Sequence, residues 1–341
     1  TVFFKAFDAD NGTELWKTDG TPSGTVLVKD IYAGAASGNP QYLTNVNGLL
    51  YYVANEDVNG TELWKTDGTT AGTVLVKDII SGDGSSFPLN LTSVGDKLFF
   101  TAQQPTTGTE LWKTDGTSSG TVMVKDINAG AEPGNPQYLT NVNGKLMFSA
   151  TDPDAGTELW KTDGTDAGTT RVKDIYAGEQ GSAASEFIKV GSGVYFRARD
   201  VANGMELWKT DGTVPGTVMV KDINAGTGDS NPTYLTNVND IIYFSATDAV
   251  NGTELWRSDG TPAGTVMVKN IGSGFQSGFV SEITNVNGIL YFRARDAGTN
   301  FELWKSDGTA AGTALVKDIY AGNGGGAPDN LTNVNGILYF M

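Results

Sequence analysis

The chain has no cysteine and no histidine in 341 residues. Those two absences remove disulfide staples, thiolate nucleophiles, zinc held by Cys and His, and every mechanism that uses imidazole as its base. Positive charge is scarce as well: 23 Lys and Arg stand against 39 Asp and Glu, a net charge of −16. A surface of that sign repels phosphate backbones, which excludes nucleic acid as a partner. No apolar run reaches the roughly 18 residues of a membrane-spanning helix. Lack of cysteine fits an exported protein without disulfides and a cytosolic one equally, so it does not place the chain.

What is abundant is glycine, 45 residues or about twice the ordinary share, and internal order. The triplet Glu-Leu-Trp recurs seven times at a spacing of 48. In the second unit, runs at Tyr42–Val46, Leu49–Ala54, Thr61–Thr66 and Val74–Ile79 are rich in Val, Leu, Tyr, Thr and Trp. Each run is bounded by Gly, Asn, Asp or Pro, which reads as four short antiparallel strands. Asn47-Gly48 between the first two tolerates the positive φ angles of a two-residue hairpin turn. The pair recurs as Asn143-Gly144, Asn287-Gly288 and Asn335-Gly336, with Gly95-Asp96, Gly191-Ser192 and Asn239-Asp240 as variants. Such a turn pairs Val190 with Gly193 and, counting outward, sets Glu186 opposite Arg197; the same count sets Glu282 opposite Arg293. These acid–base pairs read as structural, with anion binding by the arginines as the alternative.

Four-stranded units with apolar faces must stack about an axis to bury them. The expected fold is therefore all-β, a seven-bladed β-propeller of four-stranded antiparallel blades forming one domain over residues 1–341. Thr1–Phe7 matches the second strand of a unit, so the first unit lacks its opening strand. Blade 1 is expected from residues 1–31 plus the C-terminal strand 330–335, with blades 2 to 7 from about 40 to 319. Pairing of the N- and C-terminal strands then closes the ring and removes its edges. Residues 337–341 duplicate the strand already supplied by Thr1–Lys5; they are expected to trail outside the ring, or the chain is a piece of a longer array.

The recurrent core, for example Gly60 through Thr73, reads Gly-Thr-Glu-Leu-Trp-Lys-Thr-Asp-Gly-Thr-x-x-Gly-Thr. It resembles the ELWxxDGT repeat of large exported bacterial proteins, with small departures such as Met205, Phe301 and Thr170-Arg171. The resemblance implies a β-propeller-like module of secreted or surface proteins, without defined catalytic residues or ligand. Trp16, Trp64, Trp112, Trp160, Trp208, Trp256 and Trp304 are expected as plates between blades. Asp19, Asp67, Asp115, Asp163, Asp211, Asp259 and Asp307 precede Gly in a tight loop, where each carboxylate can accept the N–H two residues on. The Glu of each triplet is expected to hold neighbouring backbone or Lys.

Oxygen ligands make Ca²⁺ the cofactor to consider. Asp8 and Asp10, and Asp152 and Asp154, fall in the loop after the second strand; a solvated acidic loop is the plainer reading. Tyr32, Tyr176 and Tyr320, in the loop after the fourth strand, with Phe87, Phe275 and Phe279 and with Asn39, Gln41, Asn135 and Gln137 nearby, are candidates for a shallow glycan site. No carboxylate cluster breaks the repeat symmetry; Glu132, Glu179, Glu186, Glu282 and the pairs Arg197/Arg199 and Arg293/Arg295 are spread over different units. The expected function is a non-enzymatic extracellular or cell-surface module for adhesion or scaffolding, part of a larger polypeptide, with protein or glycan partners. A lectin-like propeller and a glycan-acting hydrolase or lyase are the alternatives.

Overall fold

Turn chemistry and alternation set 29 strands among the described residues. The computed structural model describes residues 1–273, 276–296, 298–321 and 324–341, and among them there is no helix. β1 (Val2–Asp8), β2 (Gly12–Thr18) and β3 (Val26–Lys29) form a three-stranded antiparallel sheet. β4 (Gln41–Val46), β5 (Leu49–Glu56), β6 (Gly60–Thr66) and β7 (Val74–Lys77) form the first four-stranded one. β8 to β23 repeat that pattern in four sheets across residues 89–269. A further four-stranded sheet follows as β24 (Ser281–Val286), β25 (Ile289–Ala294), β26 (Glu302–Ser306) and β27 (Ala314–Lys317), and β28 (Thr332–Val334) and β29 (Ile337–Tyr339) form a hairpin.

The hairpin turns are as the sequence requires: Asn47 and Gly48 have φ of 50° and 89°, and Val190 pairs with Gly193. The outward count then fails. Arg197 faces Ser185, and Arg293 faces Ser281, because each first strand slips by one residue. The cause is a second anchor. Beyond the strand, the carbonyls of Gly38, Ser182 and Gly278 accept from the N–H of Asn55, Arg199 and Arg295 at 2.7, 2.9 and 2.9 Å. Both ends of the second strand are thus tied to one segment, and the surplus residues between bulge. Tyr42, Glu186 and Glu282 sit in the bulge with φ of 56°, 58° and 57°. The expected Glu186–Arg197 and Glu282–Arg293 pairs are not formed.

The expected closing strand is also corrected. Among the described residues β1 pairs with β2 alone, and the 330–335 segment pairs with its own neighbour, Thr332 facing Tyr339. Asn335-Gly336 closes that hairpin with two residues, the lowest-entropy partner on offer. Residues 337–339 pair with β28, and Met341 and Asp329 exchange backbone hydrogen bonds at 2.9 and 3.1 Å.

The chain divides into two compact units, residues 1–154 with 160–170, and residues 155–159 with 171–341. In each, neighbouring residues of the triplet point to opposite faces, so one sheet offers its Leu and the next its Trp. In the first unit Leu15 packs with Tyr52 and Trp64, Leu63 with Phe100 and Trp112, and Leu111 with Phe148 and Trp160. In the second, Leu159 meets Phe196 and Trp208, Leu207 meets Phe244 and Trp256, and Leu255 meets Phe292 and Trp304. Each buried Leu and aromatic contributes about 1.5–3 kcal/mol. Lysine ties add to this: Lys17, Lys65 and Lys113 donate to the carbonyls of Gly68, Gly116 and Gly164 at 2.7–2.8 Å, one repeat and three residues on.

Candidate functional site

The seven triplet glutamates are wholly buried and hold loops. Glu62 accepts from the backbone N–H and hydroxyl of Ser86 at 2.9 and 2.5 Å, and Glu206 accepts from the N–H groups of Ile223 and Asn224 and the hydroxyl of Ser230. Burial pushes the carboxyls of Glu62, Glu110 and Glu206 up to about 7, against the opposing pull of these donors. Sealed from solvent and repeated in every unit, they pin the loop after the fourth strand. The loop aspartates are used locally: in Asp67, as in its counterparts, one oxygen accepts the N–H and hydroxyl of the Thr two residues on, at 2.8 and 2.7 Å. Those bonds hold the exposed carboxyl below its ordinary range.

The loop pinned by each glutamate leads into the bulge, and the two together shape a groove. In the first unit Gly38, Asn39, Gln41 and Tyr42 form one wall, Val53, Asn55 and Thr61 the floor, and Phe87, Pro88 and Leu89 the far side, enclosing about 640 Å³. Asn39, Tyr42 and Phe87 keep φ of 47°, 56° and 45°, a region that costs a non-glycine residue roughly 1–2 kcal/mol. The left-handed turn points these side chains outward: the rings of Tyr42 and Phe87 are half-exposed, at 50% and 53%. An apolar plate on either side and three amide side chains between them suit a ligand with both polar and apolar groups.

Five repeats on, in the second unit, the same positions carry different chemistry. Asn39, Val53, Asn55 and Thr61 correspond to Phe279, Arg293, Arg295 and Phe301, each 5 × 48 = 240 residues later. The Arg293 guanidinium lies 4.4 Å over the Phe301 ring, and that of Arg295 lies 4.4 Å over Phe279. The two rings meet edge to face with centroids 6.3 Å apart. Sequence reasoning noted Arg293/Arg295 as a pair and Phe279 and Phe301 separately, and did not join them; the common offset of 240 was the available signal.

The other sequence candidates stay apart. Both oxygens of Asp8 are taken by the Asn11 amide at 3.0 Å, and the Asp8 Oδ1 atom also accepts the N–H of Asp10 and of Asn11. Asp154 donates its N–H to Asp152 at 3.0 Å. Among the described residues no three acidic side chains come together as a metal site. Tyr32 donates to Asp57 at 3.2 Å, Tyr176 is half-buried and Tyr320 exposed, each in its own loop. Phe275 lies outside the described residues. Trp64, Trp112, Trp160, Trp208, Trp256 and Trp304 are buried between sheets, whereas Trp16 in the first sheet is half-exposed. No helix among the described residues is long and apolar enough to cross a membrane.

No family model and no curated protein matches the sequence. Solved structures do match the fold. One is a prolyl endopeptidase, from work on inter-domain dynamics in catalysis and specificity, with TM-score 0.53 and 14% identity, covering 88% of this chain and 46% of that one. A puromycin-hydrolysing peptidase of Mycobacterium tuberculosis (TM-score 0.46, 10% identity, 92% and 51% covered) and the β-propeller domain of the Trilobed protease of Pyrococcus furiosus (0.43, 13%, 81% and 84%) are further matches. The chain spans about half the length of the prolyl endopeptidase it matches. The expected adhesive or scaffolding module, with its lectin-like and glycan-cleaving alternatives, is corrected by the prolyl endopeptidase match, which is a peptidase and none of these. In fold, the chain is an all-β protein of four-stranded antiparallel sheets, similar to part of a prolyl endopeptidase.

Proposed function

We propose that this chain is the peptide-engaging propeller of a peptidase-type protein, one that holds a peptide without cleaving it. The observation that carries this reading is the groove of Asn39, Gln41, Tyr42, Asn55 and Phe87. Amide side chains can match the alternating donors and acceptors of a peptide backbone, while the Tyr42 and Phe87 rings and Leu89 take apolar or prolyl side chains. Likeness of fold to a peptidase supports the same class of ligand. With neither His nor Cys in the chain, no Ser–His or Cys–His hydrolytic pair can be assembled within it. Seven blades, membership of the ELWxxDGT group and export to the cell surface belong to the same proposal.

The test is fluorescence anisotropy with a library of labelled proline-containing peptides, comparing the wild type with Tyr42→Asn and Phe87→Asn. Asn occupies the equivalent left-handed positions at Asn90 and Asn135, so both variants keep the backbone. Binding in the micromolar range, weakened about tenfold by each change, is expected. A library without binders, or binding indifferent to both substitutions, refutes the reading.

A further inference from the structure

We infer that Arg293 and Arg295, walled by Phe279 and Phe301, form an anion site that takes a carboxylate, the free C-terminus of a peptide; the peptide part of this rests on the function proposed above. The fifth repeat supplies an internal comparison, because Arg197 and Arg199 stand 96 residues earlier at the same two positions. There both guanidinium groups are satisfied: Arg197 donates through Nε to the Ser185 hydroxyl at 2.8 Å, and Arg199 lies 3.8 Å from the Asp229 carboxylate. In the seventh repeat neither contact is made. The Arg293 Nε is sealed from solvent without an acceptor although Ser281 faces it across the sheet, and Gly325 stands where the counterpart of Asp229 would be. Among the described residues neither Arg293 nor Arg295 has a carboxylate within ion-pair distance.

Phenyl rings replace those partners without neutralising them. Stacking uses the flat face of a guanidinium and leaves its terminal N–H groups for a planar, two-oxygen acceptor. Two unpaired cations held against rings, in a chain of net charge −16, are costly unless an anion arrives. The Phe279 ring, 44% exposed, offers an apolar surface to the residue bearing the carboxylate. Ala327 stands where the second repeat has Phe87, which lowers the far wall.

The full chain is titrated by calorimetry with N-acetylphenylalanine, its primary amide and inorganic phosphate. The free acid is expected to bind at least tenfold more tightly than the amide or phosphate. That preference should vanish in Arg293→Gln/Arg295→Gln and survive in Arg197→Gln/Arg199→Gln. Arg295→Lys, which keeps the charge but not the fork, should lose most of it and serves where the double variant fails to fold. Equal binding of acid and amide, preference for phosphate, or persistence of the preference in the Gln and Lys variants overturns the site. Because this probe does not use the first-unit groove, failure of the peptide library at Tyr42 and Phe87 sinks the peptide reading and leaves the anion site standing.

Discussion

Raising the pH from 4.5 to 7.5 should destabilise this protein, the reverse of what carboxylate-rich proteins commonly do. Glu62, Glu110 and Glu206 ionise near 4.5 when unfolded and near about 7 when folded, because burial opposes their charge more than the loop donors favour it. Between those values the folded state holds protons that the unfolded state has released. Their stabilising effect is complete below pH 4.5 and is lost as pH climbs through 7, roughly 3 kcal/mol per carboxyl as an upper bound. The exposed carboxyls of Asp19, Asp67, Asp115, Asp163, Asp259 and Asp307 titrate below their ordinary 3.8, so they act only at lower pH. Urea midpoints followed by tryptophan fluorescence at four pH values give the slope. Glu206→Gln, an uncharged stand-in for the protonated acid that leaves Ser230 a partner, should flatten it by one group's share. Midpoints that rise from pH 5 to 7 would mean that the N–H groups of Ile223 and Asn224 and the Ser230 hydroxyl outweigh desolvation, and the reasoning would fall.

Gly60→Ala should cost about 3 kcal/mol, since its Cβ would meet the Gly84 carbonyl at a backbone φ of 63°, combining clash with strain. Gly48→Ala, at φ 89° with open space around it, should cost only about 1 kcal/mol; chemical denaturation distinguishes them. Lys65→Met keeps the stem and removes the bond to Gly116, so a loss of about 1 kcal/mol is expected in the same assay. Ca²⁺ or a chelator should leave the melting curve unmoved by scanning fluorimetry, because Asn11 already occupies both Asp8 oxygens. Ala183→Phe/Met205→Phe/Asp229→Ser, which gives the fifth repeat the rings and lost acid of the seventh, should raise the calorimetric stoichiometry for N-acetylphenylalanine from one to two.

The strands and turns were legible because each is decided within a few residues. Asn47-Gly48 announces its own turn, and the alternation around Trp64 announces two buried faces. The bulge at Glu186 was not, because it is imposed by the Ser182 carbonyl reaching Arg199, a bond that no residue type at 186 signals. Closure was misjudged for a related reason. Residues 330–335 have the sequence of the strand that β1 lacks, yet a two-residue turn to Ile337 offers a partner at once. The glutamates were assigned correctly to holding backbone, but their partners lie 17, 18 and 24 residues away, beyond the reach of a local pattern.

That division of labour locates the site. Every unit spends its Glu, loop Asp and most of its Lys on hydrogen bonds that recur at fixed offsets, and six of the seven Trp on recurring apolar packing, so those positions cannot change without loosening a sheet. The residues at the groove carry no such duty. They lie in or beyond the bulge of the first strand or on the floor beside it, and the backbone there is tied by the Gly38-type carbonyl whatever side chain is present. Asn39 can therefore become Phe279, and Asn55 become Arg295, with the same φ region and the same anchor. A frame that holds its backbone through one set of residues frees another set to differ. In this chain the freed set turns Val53 and Asn55 of the second repeat into two stacked guanidinium groups in the seventh, a change that packing does not call for and that an anionic ligand would explain.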